Sequence, residues 1–177
     1  MKNRILLLFV ISFVVIVAYK TQAADLLVSS QYSNQVLRYD GATGAFLGVF
    51  ASGGGLKGPR DLAFGPDKNL YVGDAWGARN VLRYNGTTGA FMDSFTSGHN
   101  NSECDGIAFG PDGNLYVSST WGENQIIRYN GRTGAFIDQF VTPSSGGLSH
   151  PTYLLFTPEP ASIILLGIGG LMLRKRR

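Results

Sequence analysis

Through the middle of the chain, apolar residues fall in short runs of strand length, divided by Gly, Pro, Asp and Asn. One stretch shows the pattern in full: Ile107 to Phe109, Leu115 to Val117, Ile126 to Tyr129 and Ala135 to Phe140. Between the first two, Gly110-Pro111-Asp112-Gly113-Asn114 sets proline at the first central position of a turn and glycine where a left-handed residue is useful. Tyr129-Asn130-Gly131 predicts the next hairpin. The runs do not alternate cleanly with polar residues, which predicts sheets covered on both faces. Twenty-four glycines against fifteen lysines and arginines agree with a chain of many tight turns.

The pattern is written three times. Arg38-Tyr39-Asp40-Gly41 returns as Arg83-Tyr84-Asn85-Gly86 and Arg128-Tyr129-Asn130-Gly131, at intervals of 45 residues. Thr43-Gly44-Ala45-Phe46 keeps that interval at Thr88 and Thr133, and Leu62-Ala63-Phe64-Gly65-Pro66-Asp67 returns as Ile107-Ala108-Phe109-Gly110-Pro111-Asp112. A worn third copy of the latter is Leu154-Leu155-Phe156-Thr157-Pro158-Glu159. A period in the forties holding four strands is the arithmetic of a β-propeller blade.

The stretch Pro59 to Val72 followed by Val81-Leu82-Arg83-Tyr84 resembles an NHL-type propeller blade, and the resemblance extends over residues 24–157. It implies an all-β fold of three four-stranded blades of about 45 residues; the two end segments are expected to add a signal helix before them and a hydrophobic helix after. The chain enters in mid-blade with three strands, and a last strand from Thr152 to Phe156 is expected to complete the first blade. Closed propellers have about 4 to 8 blades. A homodimer completing a six-bladed propeller, or an open arc with a partner, is therefore expected.

The ends read as addresses. Residues 1–23 form a signal peptide: Lys2 and Arg4, an apolar run from Ile5 to Ala18, and cleavage expected at Ala23. That run is too short for the roughly 20 residues that span a bilayer as a helix. At the other end Pro158-Glu159-Pro160, an apolar Gly-containing stretch and Arg174-Lys175-Arg176-Arg177 resemble a PEP-CTERM sorting signal over residues 158–177. The resemblance implies cleavage by a membrane-embedded exosortase after a signal peptidase has acted, with delivery to the bacterial envelope or beyond. A plain tail anchor left in the inner membrane is the alternative.

Charge changes the picture only once it is located. The pI is near 9.1 and the formal charge +3. Seven of the fifteen cations sit at the two ends, however, and residues 24–157 carry a net −3, which offers no footprint for nucleic acid. A single cysteine, Cys104, excludes an internal disulfide framework and reads as a buried apolar position.

Candidate chemistry is sparse. His99 and His150 fall in irregular stretches before a first strand and read chiefly as solvated loop residues. Asp61, Asp67, Asp105, Asp112 and Glu159 lack calcium-loop spacing and read mostly as turn and cap formers. Arg38, Arg83 and Arg128 read as paired structural positions. No catalytic residue, metal or cofactor is nominated. Tyr32, Trp76 and Trp121 occupy one loop in all three copies, where a ring stacks on a sugar or a peptide, or else wedges between blades. The reading is a non-enzymatic, exported binding or scaffold module, with exopolysaccharide or another envelope protein as partner. The alternatives are a propeller hydrolase or lyase of the streptogramin-lyase or lactonase type, and a remnant of a longer propeller.

Overall fold

The computed structural model describes residues 24–99 and 103–157. They form eleven strands in three antiparallel sheets, each a simple meander. The first sheet holds β1 (Leu26–Ser30), β2 (Gln35–Tyr39) and β3 (Phe46–Ala51). The second holds β4 (Pro59–Phe64), β5 (Leu70–Asp74), β6 (Val81–Tyr84) and β7 (Phe91–Ser94). The third holds β8 (Cys104–Phe109), β9 (Leu115–Ser119), β10 (Gln125–Tyr129) and β11 (Phe136–Val141). One 3-10 turn, Ser145–Gly147, follows. Among the described residues no helix is long and apolar enough to cross a membrane. The segments expected as terminal helices, and with them Ala23, Pro158, Glu159, Pro160 and Arg174 to Arg177, lie outside the described residues.

Strand pairing repeats as the sequence does. Leu70 faces Tyr84 and Val72 faces Leu82, just as Leu115 faces Tyr129 and Val117 faces Ile127. Opposed residues share a face, so these four positions make one apolar surface per sheet. That surface packs on the sheet before it. Leu70, Val72, Leu82 and Tyr84 meet Val36, Ala51 and Leu56, while Leu115, Val117, Ile127 and Tyr129 meet Tyr71, Val81 and Phe95. Burial on both faces explains why the runs lack polar alternation. Cys104 is buried in the second of these clusters, as its place in the repeat predicts.

Turns are fixed by short polar side chains. Asp67 and Asp112 each accept the N-H of the asparagine two residues on, at 3.1 and 3.0 Å. Asp40, Asn85 and Asn130 accept two N-H groups apiece in the later hairpin. Gly89 in one of those hairpins has φ +71, and a Cβ there would collide with the Phe50 carbonyl, so glycine lets the second sheet close on the first. Lys68 has φ 64 where the third sheet uses Gly113 at φ 76. A left-handed lysine costs about 1–2 kcal/mol, part of which glycine returns as chain entropy. Lys68→Gly is expected to raise stability by about 0.5–1 kcal/mol, read as a higher urea midpoint with unchanged slope.

The repeated arginines are structural. Arg83 forks onto Asp93 at 3.1 and 2.5 Å and lies over Phe95, and Arg128 does the same with Asp138 and Phe140. In the first sheet the partner position is Gly48, and Arg38 turns to Asp25 at 3.7 Å.

One expectation is corrected. Residues 152–156 form no strand and do not complete the first sheet, which has three strands among the described residues. The segment lies instead along the third sheet: a Cβ on Gly106 would strike the Thr152 carbonyl, Thr120 Oγ1 donates to Pro151 O at 2.9 Å, and Phe156 packs on Tyr116. A strand needs an edge to bond to, and the edge of β1 lies at the far end of the row of sheets.

Candidate functional site

Pro59 pairs with Asp74, and Cys104 with Ser119. The starts of β4 and β8 therefore share a rim with the loops that follow β5 and β9, the loops carrying Trp76 and Trp121. Tyr32 sits in the matching loop after β1.

These loops are held firmly. Asp74 accepts N-H groups from Lys57, Gly77 and Arg79 at 2.8, 3.2 and 3.3 Å, tying the Trp76 loop to the chain entering β4. Asn34 accepts the Gly58 N-H at 2.9 Å, so the Tyr32 loop is bound to that same segment. Trp76 lies on Gly58, where a Cβ would overlap its ring. In the third loop Glu123 takes over, accepting from Ser119 and Gln125 at 2.7 and 2.8 Å, and Asn124 accepts the His150 N-H at 2.9 Å.

The rings are brought together only in part. Tyr32 and Trp76 meet at 5.5 Å with planes tilted by 53°, bridging two sheets. Trp121 instead packs edge-on against His150 at 5.9 Å. All three remain open to solvent, Tyr32 at 87%, Trp76 at 43% and Trp121 at 61%. The two histidines are not joined: His99 stacks on Phe136 at 5.1 Å, and His150 has Ser149 Oγ 3.1 Å from its Nδ1.

An ionic group that the sequence reading missed lies on this rim. Arg60, from β4, places Nη1 2.8 Å from Asp105 and Nη2 3.2 Å from Glu103 across the gap to the third sheet. Asp105 was expected as a turn former, but it is a buried ion-pair partner. Burial raises the Glu103 carboxyl above its ordinary pKa, the Arg60 charge opposing and Asp105 adding to the rise. Asp61 is a cap, as expected, but across sheets: its second oxygen accepts the Ile107 N-H at 2.9 Å. The available signal was position 60 against position 105, equivalent places in the repeat with opposite charges. Among the described residues no three His, Cys, Asp or Glu side chains gather as a metal-binding group.

At the opposite rim a polar cleft of about 500 Å³ opens between the second and third sheets, lined by Asp67, Arg83, Asp112, Asn114 and Arg132. Its acids are engaged. Burial pushes the Asp67 carboxyl upward, but hydrogen bonds from Asn69 and Tyr71 and the charge of Arg83 hold it below the ordinary carboxylate range.

No protein-family model and no curated protein sequence matches the chain. Among solved structures, a gluconolactonase from Xanthomonas campestris is similar over 69% of this chain and 37% of its own, with TM-score 0.53 and 26% identity. A computationally designed protein is similar over 77% of this chain and 41% of its own, with TM-score 0.50 and 20% identity. The chain spans less than half the length of either. These likenesses and the pairing above establish an all-β protein of antiparallel sheets, arranged like part of a propeller gluconolactonase.

Proposed function

We propose that this chain is an exported binding module: three propeller blades of the NHL type that hold carbohydrate on a rim of aromatic rings. The observation that carries the reading is the exposure of Tyr32, Trp76 and Trp121 on loops pinned by Asp74, Asn34 and Glu123. Pyranose rings present apolar C-H faces that stack on such surfaces, and preformed loops bind with little ordering cost. Three weak contacts in a row then act together on a repeating polymer. The end segments 1–23 and 158–177 fit this use, since a signal peptide and a PEP-CTERM-type tail would carry the module to the envelope, where exopolysaccharide is met.

The test is retention of the full chain on immobilised hexose oligosaccharides. Trp121→Ala and Trp76→Ala together should weaken retention at least tenfold, equivalent to about 1.4 kcal/mol. Trp121→Ala alone should move stability by no more than about 0.5 kcal/mol. Loss of folding with no separate loss of retention would make the rings structural wedges.

A second reading is lactone hydrolysis, favoured by the likeness to a gluconolactonase and by the Arg60, Glu103 and Asp105 group on the same rim. Turnover of gluconolactone that is abolished in Asp105→Asn would support it over the binding module.

A further inference from the structure

Neighbouring sheets in this molecule meet through the same two faces, and among the described residues one copy of each face is left open at least in part. Leu70, Val72, Leu82 and Tyr84 of the second sheet, and Leu115, Val117, Ile127 and Tyr129 of the third, are sealed by the sheet before them. Strand register puts Leu26, Val28, Leu37 and Tyr39 at those positions in the first sheet. Nothing among the described residues seals them: Leu26 is 54% exposed where Leu70 is 1%.

The far end shows the other half of the interface. Tyr116, Ile126 and Phe140 of the third sheet match Tyr71, Val81 and Phe95 of the second; Tyr116 and Ile126 are buried, but Phe140 is 49% exposed where Phe95 is 5%. Residues 151–157 cover part of this end as β8 covers the second sheet, with Phe156 4.9 Å from Tyr116 as Phe109 is from Tyr71. Even so, the segment has no ladder partner among the described residues, and Leu155 is 92% exposed. Meanwhile, among the described residues, β1 is a free edge, because none of them supplies there the strand that β4 and β8 supply to their own sheets.

We infer that a second copy of this chain fills both gaps, residues 152–156 of each copy adding to the β1 edge of the other as its fourth strand. The register follows from β4 on β5, where Leu62 faces Val72 and Phe64 faces Leu70. It puts the partner's Leu154 opposite Val28 and the partner's Phe156 opposite Leu26. Main-chain bonds satisfy the open edge, and the repeated apolar face is sealed by the surface that seals it twice already. The ion pairs at the two ends, Arg38 with Asp25 and Arg128 with Asp138, are internal, so neither face brings an unpaired charge to the contact. Joined head to tail, two arcs close by a twofold rotation. This inference is independent of what the aromatic rim binds.

The test uses the full chain in mild detergent. Val28→Cys with Leu154→Cys, oxidised gently, should convert almost wholly to a covalent dimer on a non-reducing gel, since Cys104 is buried and does not compete. Val28→Cys with Leu155→Cys, whose sulfurs point to opposite faces, should not. Leu155→Glu changes a side chain that supports nothing within one copy, and it should shift sedimentation from dimer to monomer while the circular dichroism stays the same. A disulfide within a single chain, open-ended oligomers, or a wild-type monomer whose Leu26–Ser30 amides exchange as a free edge would each overturn the inference.

Discussion

Arg60→Met should destabilise the protein by about 3 kcal/mol, the loss expected when one partner of a buried ion pair is removed. The Asp105 side chain is 2% exposed and meets Arg60 at 2.8 Å as a charge contact, with no aligned hydrogen bond to either of its oxygens. Methionine keeps the length of the stem but leaves that carboxylate facing Glu103 without its cation. Arg60→Met combined with Asp105→Asn should recover a substantial part of the loss, since the uncompensated charge is then gone. Urea unfolding of the two single variants and the double variant measures the coupling. If the single change costs no more than an exposed substitution, the rim ion pair does not help hold the second and third sheets together.

Tyr84→Ala is the second large effect, about 3–5 kcal/mol. The ring is fully buried among Leu70, Val72 and Leu82, meets Phe91 edge-on at 5.7 Å, and its hydroxyl donates to the Gly53 carbonyl at 2.9 Å. Tyr84→Phe keeps the packing and should lose only about 1 kcal/mol for the hydrogen bond. Burial, with the Asp74 charge adding to it, pushes the Tyr84 pKa up to about 12. The folded state therefore holds this proton more tightly than the unfolded chain. Stability from this group is intact below about pH 10 and declines as pH rises toward 12, by at most about 1.4 kcal/mol per pH unit. Chemical unfolding across that range should show a shallower alkaline decline in Tyr84→Phe than in the wild type.

What the sequence made legible was local. The strands of the third sheet lie where the apolar runs put them, because runs such as Leu115 to Val117 and turn codes such as Gly-Pro-Asp-Gly-Asn act within a few residues. The 45-residue interval then matched position to position, including the arginine forks. What escaped was set by contacts between sheets. Thr152 to Phe156 reads as a strand because its composition is that of β8, but a ladder needs a neighbouring edge, and the segment has only a face to lie on. Asp105 reads as a turn former because its partner, Arg60, is 45 positions away and is visible only once two sheets are stacked. The candidate site was legible in kind but not in arrangement. The shared loop of Tyr32, Trp76 and Trp121 was plain, but the pairing of Tyr32 with Trp76, and of Trp121 with His150, depends on a connector that differs in length between repeats.

The chain has two tryptophans, and both belong to the proposed rim. Intrinsic fluorescence of the full chain therefore reports on that surface with little background from elsewhere. Titration with a hexose oligosaccharide should give a saturable change in tryptophan emission, and the change should be lost in Trp76→Ala combined with Trp121→Ala. Emission that stays constant through the titration, while the oligosaccharide is retained by some other part of the protein or not at all, would contradict the account.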